Sequence, residues 1–486
     1  MYKKEDGQIT IAEFISPFGK LSKNNRWVKI ADMIPWESFE ERYAEQFCEN
    51  NGTPAIPFRM AMGTLIIKQI MRHSDDDVLL DIEDSPYMQY LIGLHEFRET
   101  PPFSQSSISN FRKYIPSEMV KEINDIIFAV DKSKDDDEEN PPSEEDEVSE
   151  SAPKAPKNKG KMIFDATCAP ANIAYPTDVN LLNEARKKLE GMIDALWPRG
   201  YNGIKPRTYR KKAHKNYLSF IKQRKPRKKV IRKAVGQQLR YVKRNLNHME
   251  QMLDKFGSEG LSIKQQEWLE TIRTLYQQQK EMYETKTHSA ENRIVSIGQP
   301  HVRPIVRGKA RAAVEFGAKV SVHMIDGYTF IDRIGWDAYS EEALLIPTIQ
   351  KYEQRNGYYP EAVLVDKIYR TRKNRAFCKK HGIRISGPRL GRPPKETDKA
   401  IVRQARIDAC DRNAVEGKFG EGKTGYGLDC IMAGLKETSE TVIAMSIFCM
   451  NISKRLRALL CYFGKSTFKQ IFYLDFYGFR FARLVG

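Results

Sequence analysis

Two short apolar runs that end on aspartate frame this chain. Lys161-Met162-Ile163-Phe164-Asp165 and Ala362-Val363-Leu364-Val365-Asp366 read as strands, the second of the kind buried on both faces. Around them the pattern alternates. A strand over 314–324 meets the hairpin signal Asp326-Gly327, and Tyr328-Thr329-Phe330-Ile331-Asp332 returns. A helix over 341–355 closes at Asn356-Gly357, and a helix over 370–381 stops at Gly382. A fifth strand covers 383–386, and a helix starts near Glu396. Strand, hairpin, helix, strand, helix, strand, helix is an α/β order with a mixed sheet.

The flanking segments differ in kind. Residues 1–130 read as mostly helical. Pro57 precedes an apolar helix over 59–71, and Ser74-Asp75-Asp76-Asp77 announces another helix. Ser104 leads into a helix whose first turns carry Ser109, Asn110, Arg112 and Lys113, the side chains that a recognition helix presents to a groove. Residues 131–160 are acidic and then Pro-rich, too polar to bury a core, and mark a linker. Residues 179–292 sit between the first strand and the next extended pieces, at 293–297 and 302–306. The stretch 205–233 holds fourteen Lys/Arg and no Asp/Glu, with Tyr209, Tyr217 and Phe220 interleaved. Arg210, Lys211, Lys212, Arg227, Lys228 and Lys229 are its densest points, suited to phosphate contact. Leu239, Val242, Leu246, Met249 and Leu253 then form a 3-4 seam, and a second helix after Ser262 completes a helical hairpin. An apolar helix over 441–460 and an aromatic-rich tail over 461–486 end the chain.

Charge narrows the partners. A formal net charge of +17 over 486 residues favours a polyanion. Seven scattered cysteines with no C-x-x-C pair give no zinc or redox motif and suit a reducing compartment. No run of about 18 apolar residues predicts a membrane span. The opening residues have no apolar signal core, so a cytoplasmic, nucleoid-associated protein is expected.

The helix after the fifth strand carries Arg412, Glu416 and Lys423 in the spacing R-x3-E-x6-K. Four- and seven-residue steps share one helix face, which would make a stripe of cation, carboxylate and cation. Gly417, Gly420, Gly422 and Gly425 would weaken that helix just after Glu416, leaving Lys423 the less secure member.

This motif resembles the signature of bacterial insertion-sequence transposases of the DDE type. The likeness extends to DATCAPANIAYPTD at 165–178, QPHVRPIVRGKARAAVEFGAKV at 299–320 and VDKIYRTRKNRAFCKKHGIRISGPRLGRPP at 365–394. It implies a ribonuclease H-like sheet with a metal-binding triad of Asp165, Asp366 and Glu416, holding Mg²⁺ or, in its place, Mn²⁺. It implies that Arg412 and Lys423 grip DNA phosphates; Lys367 and Arg370, beside the second aspartate, join the expected contacts. Two departures stand out. Ala409 occupies the place where such signatures often carry tyrosine, and the insertion lies between the first two strands.

The expected architecture is therefore an N-terminal helical DNA-binding domain (1–130), a linker (131–160), a catalytic domain (161–460) with a basic helical insertion (179–292), and a tail (461–486). The expected activity is metal-dependent nicking at terminal inverted repeats of double-stranded DNA, followed by 3′-OH strand transfer, in a homodimer or larger assembly. A nuclease of the same fold without strand transfer and a non-catalytic DNA-binding repressor are the alternatives. Asp326 reads as a turn residue, Asp178 as a helix cap, and His323 as lacking a metal-spaced partner.

Overall fold

The computed structural model describes residues 10–48, 54–128, 158–198, 201–306, 314–387 and 399–481, with side chains to residue 459. The expected linker, apart from 158–160, and the basic loop 388–395 lie outside these residues.

Six strands form one mixed sheet: β1 (Lys161–Pro170), β2 (Arg303–Val306), β3 (Val314–Ile325), β4 (Tyr328–Gly335), β5 (Ala362–Leu364) and β6 (Arg384–Ile385). The order is β2-β3-β1-β5-β6, with β4 also on β3. β3 runs antiparallel to β1, β2 and β4, whereas β1–β5 and β5–β6 are parallel. Alternating apolar positions mark β3, whereas Met162-Ile163-Phe164 of β1 and all three residues of β5 are buried runs. Asp326 and Gly327 take φ of 50° and 77°, so the expected hairpin turn forms between β3 and β4. Of the two extended pieces, 302–306 supplies β2 and 293–297 stays outside the sheet.

Seven helices precede the sheet: α1 (Arg26–Met33), α2 (Glu37–Ala44), α3 (Phe58–Met71), α4 (Asp75–Asp84), α5 (Pro86–Leu91), α6 (Gln105–Tyr114) and α7 (Ser117–Phe128). Local chemistry sets several ends. Ser74 and Asp77 form a reciprocal capping box, and Ser85 caps α5 with Pro86 in its first turn. Four helices lie between β1 and β2: α8 (Asp178–Leu196), α9 (Arg210–Ile221), α10 (Lys228–Phe256) and α11 (Ile263–Thr285). The hairpin α10–α11 matches the seam, and Ser262 with Gln265 caps α11. Leu239, Val242, Leu246 and Met249 join α8 and α11 residues in an apolar cluster separate from the main core. That cluster also encloses an ion pair, Arg186 to Glu190 at 2.6 Å, with Arg186 1% exposed. The remaining helices are α12 (Leu345–Asn356), α13 (Arg372–Lys380), α14 (Lys399–Gly425) and α15 (Lys436–Phe481).

The main core crosses the expected boundary at 130. Residues of α1–α7, the sheet and α15 form a single buried cluster. Polar links lock the seam. Buried Asn451 on α15 donates to Asn124 Oδ1 at 2.8 Å and to the Thr329 carbonyl at 2.7 Å. Gln69 Nε2 donates to Ser446 Oγ at 2.8 Å, and Thr441 Oγ1 to the Ile115 carbonyl at 3.0 Å. The N-terminal helices and the sheet thus share their apolar contacts, both through α15 and directly, where Phe128 of α7 stacks on Tyr328 of β4 with ring centres 5.0 Å apart.

Candidate active site

Parallel pairing sets the two aspartates side by side. Ile163 pairs with Leu364 in the β1–β5 register, and Asp165 and Asp366 each lie two residues further on. β1 runs on past Asp165 to Pro170, so the first aspartate lies within its strand and not at the end expected from the sequence, whereas Asp366 follows just after β5. Adjacent strands are about 5 Å apart, so the two residues are lateral neighbours. Asp165 is half-buried, and its Oδ1 accepts the Ala166 N–H at 2.8 Å. Asp366 is exposed and caps a single 3-10 turn, accepting the Lys367 N–H at 2.7 Å.

α14 lies against these strands through one face. Lys161 Nζ meets Asp411 Oδ2 at 2.9 Å, Arg384 meets buried Asp408, and Val415 is fully buried. Arg412 Nη1 stands 4.0 Å from Asp165 Oδ2. The helix continues without a break to Gly425, so the glycines do not end it, contrary to the sequence expectation. The physical reason is tertiary. Gly422 is buried, and a Cβ there would come within 2.7 Å of Leu428 Cδ1, so this glycine permits close packing. Lys423 therefore stays on the helix with Arg412 and Glu416, half-exposed.

Burial chiefly pushes the Asp165 carboxyl above its ordinary value. The charges of Asp366 and Glu341 push the same way, while the Ala166 N–H and Arg412 oppose them. A carboxyl raised by burial and by neighbouring carboxylates suits a cation-binding place, because a cation relieves both burdens. Glu416 is exposed, one turn beyond Arg412, and among the described residues no three His, Cys, Asp or Glu side chains are grouped as a metal site. The sheet thus brings together Asp165, Asp366 and Arg412, with Glu416 one turn further along α14.

Glu341 is the group that sequence reasoning missed. Its Oε1 pairs with Lys319 Nζ on β3 at 2.5 Å, and its charge and hydrogen bond help raise the buried Tyr369 hydroxyl. The signal was weak, since Glu341 sits in an acidic helix start like many others.

The other expected contacts are scattered. Lys367 is exposed beside Asp366, and Arg370 follows it half-buried. Lys211, Lys212, Arg227, Lys228 and Lys229 are exposed on the inserted helices. Arg210 is engaged internally: Asp194 on α8 accepts from it and from Lys205, at 2.9 and 2.6 Å. The basic stretch has an acidic partner after all, brought by tertiary packing from outside the stretch. Arg112 is likewise engaged. Its guanidinium forks Asp75 at 3.1 and 3.0 Å, and Lys68 reaches the same carboxylate at 2.6 Å. Asn110 remains exposed on α6. Asp178 accepts from Arg293 at 2.7 Å and from Gln279, while Thr177 is the cap of α8. His323 pairs with Asp332 at 2.7 Å.

Residues 363–453 match the family model of the transposase DDE domain, and residues 16–114 match a second transposase domain, DUF772. The chain carries a transposase DDE domain. The matched DDE span includes Asp366, Arg412, Glu416 and Lys423, and Asp165 lies upstream of it. A curated relative, "Uncharacterized protein ORF8 in nfe locus" of Rhizobium meliloti, is 26% identical over 162 residues, which is 33% of this chain and 70% of that protein. No solved structure matches the chain. The two matches support a transposase of the insertion-sequence DDE type, a class whose DDE domain implies phosphodiester hydrolysis and transesterification on DNA. No helix among the described residues is long and apolar enough to cross a membrane.

Proposed function

We propose that the chain binds the terminal inverted repeats of an insertion sequence, nicks one strand with water and uses the freed 3′-OH to attack target DNA. The observation that carries this reading is the lateral juxtaposition of Asp165 in β1 and Asp366 just past the parallel neighbour β5, with Arg412 of α14 facing Asp165. The central place of β1 between β3 and β5 supports a ribonuclease H-like arrangement with the helices α8–α11 as its insertion. Asp165, Asp366 and Glu416 would hold Mg²⁺, or Mn²⁺ in its place, because carboxylate oxygens suit hard cations. Divalent cations bound there would supply an activated oxygen nucleophile and charge neutralisation at the phosphate.

The chain's own cations have the remaining work. Arg412 orients the Asp165 carboxylate and offers N–H groups to a phosphate oxygen. Lys367 and Arg370, just after Asp366, would contact phosphates near the cut, and Lys423, eleven residues beyond Arg412 on the unbroken α14, would contact phosphates further along the duplex. α6 through Asn110, and the inserted helices through Lys211, Lys212, Arg227, Lys228 and Lys229, hold the ends of the element. Joining two ends calls for a dimer or larger assembly, in the cytoplasm at the nucleoid.

Asp165→Ala and Asp366→Ala should each abolish Mg²⁺-dependent cleavage of end-containing duplex while leaving DNA binding intact. Preserved cleavage would sink the assignment. Joined products separate strand transfer from nuclease action alone, which yields cut ends only.

A further inference from the structure

A second basic cleft lies among the inserted helices, away from Asp165 and Asp366. Tyr209, Lys212 and Asn216 from α9 and its approach, with Arg240, Tyr241 and Arg244 from α10, line a cavity of about 290 Å³. Among the described residues, no carboxylate lines it. The Arg244 guanidinium carbon lies 4.6 Å from the Tyr209 ring centre and 5.6 Å from that of Tyr241. Flanking rings hold a guanidinium in one orientation while leaving its N–H groups available. One of them, Nη1, is closed off from solvent and has no hydrogen-bond partner among the described residues. A shielded donor of this kind is costly unless an acceptor arrives.

The surroundings are built to keep this arrangement. Asn216 Nδ2 donates to the Tyr241 hydroxyl at 3.1 Å, fixing that ring. Tyr209 adopts φ 56°, a conformation uncommon for tyrosine, and this turn places its ring over Arg244 at the start of α9. Lys212 and Arg240 are exposed at the rim. The contrast with Arg210 is direct, since that neighbour is neutralised by Asp194.

We infer that this cleft is a phosphate-binding site whose occupant is a backbone phosphate of DNA. Three cations with no lining carboxylate select an anion, and the planar fork of Arg244 matches two phosphate oxygens. The volume exceeds that of a free anion and admits the phosphate with its adjoining sugar. The inference rests on the reading of the chain as DNA-binding, and it adds Arg240 and Arg244 to that surface. Phosphate contacts of this kind fix position and carry no base preference.

The test uses the full chain without divalent cation, so cleavage is silent. Duplex binding is followed by fluorescence anisotropy across a salt series for the wild type and for the combined Lys212→Gln, Arg240→Gln, Arg244→Gln variant. Lys280→Gln, an exposed lysine on α11 outside the cleft, is the control. The cleft variant should bind at least roughly 10-fold more weakly, with a salt slope shallower by about 0.9 for each phosphate that it no longer neutralises. Inorganic phosphate should raise the melting temperature of the wild type and not of the variant. Unchanged affinity and slope in a variant with wild-type circular dichroism would overturn the inference, as would phosphate protection without any change in DNA binding, which marks a free-anion site. A cleft variant that binds DNA normally while Asp165→Ala still abolishes cleavage fails the cleft and spares the proposed function. A wild type that binds DNA through the cleft and never cleaves it does the reverse.

Discussion

Arg412 Nη1 faces Asp165 Oδ2 across 4.0 Å, the outer limit of an ion pair, and so holds the carboxylate without enclosing it. A guanidinium at that distance has N–H groups left for a phosphate oxygen. Arg412→Ala should lower cleavage by roughly 100-fold, the usual loss for one positioned donor, with DNA affinity falling far less. Arg412→Lys should recover only part of the rate, because an ammonium lacks the planar fork. Single-turnover cleavage with saturating DNA checks both variants, and equal loss of binding and rate would refute the positioning role.

Two glutamates compete for the third place beside Asp165 and Asp366. Glu416 lies exposed one turn beyond Arg412, whereas Glu341 is engaged by Lys319 and contributes its charge at Asp165. If Glu416 completes the donor set on binding metal and DNA, Glu416→Gln should reduce cleavage by about 1000-fold or more while stability stays unchanged. Glu341→Gln should keep cleavage within about 10-fold of wild type and lose about 1–2 kcal/mol of stability, since Lys319 loses its charged partner. The reverse ranking in cleavage assays would make Glu341 the metal ligand.

The fork from Arg112 to Asp75 separates stability from recognition on α6. Arg112 has a side chain only 14% exposed, and its two N–H groups, with Lys68 alongside, neutralise Asp75. Arg112→Ala should therefore destabilise the chain by about 2 kcal/mol, the cost of leaving a partly buried carboxylate short of a partner. Asn110→Ala should leave the melting point in place and weaken binding to duplexes carrying the element's ends. Urea unfolding and anisotropy, run on both variants, report the two effects independently.

Much of the framework was legible in the sequence because it is written locally. The β3–β4 hairpin follows from alternating apolar residues around Asp326-Gly327, and α11 begins where Ser262 and Gln265 can cap it. Asp165 and Asp366 are brought side by side by the parallel β1–β5 register, although β1 continues five residues past Asp165, which local sequence did not reveal. What sequence missed depends on distant partners. The acidic partner of Arg210 comes from α8, the continuity of α14 through Gly422 depends on Leu428, and the fork at Arg112 depends on Asp75. The joint core of α1–α7, the sheet and α15 was likewise invisible, because apolar periodicity says which face is buried and not against what.

That joint core predicts cooperative unfolding. Asn451 is fully buried and bridges three segments: it donates to Asn124 and to the Thr329 carbonyl, and its Oδ1 accepts the Thr329 N–H at 3.0 Å. Asn451→Ala would leave Asn124 Oδ1 and the Thr329 N–H without this partner, while Asn124 Nδ2 still reaches the Thr329 carbonyl, at a cost of about 2–3 kcal/mol. Trp27 and Trp36 report on the N-terminal helices and Trp336 on the sheet end. In single-tryptophan backgrounds both regions should melt at one midpoint, and Asn451→Ala should lower both together. Separate midpoints would show that the shared core does not couple them.

His301 gives the fold a specific acid sensitivity. Its ring meets Trp336 edge-on with centroids 4.3 Å apart, and its Nε2 is buried without a hydrogen-bond partner among the described residues. Burial pushes its pKa down to about 4; Glu437 opposes this, and Lys436 and Arg303 reinforce it. The imidazole is therefore neutral in the folded chain at pH 7 and would titrate near 6.5 when unfolded. Its contribution is fully present above about pH 6.5 and is lost as pH falls from there towards about 4, because the unfolded chain takes up the proton first. His301→Leu should flatten this part of the profile, keeping the apolar contact with Trp336 while removing the titrating group. Melting temperatures of the wild type and the variant, compared at about pH 7.5 and about pH 5, should show the larger acid drop in the wild type. Equal drops would mean that carboxylates elsewhere account for the whole acid response.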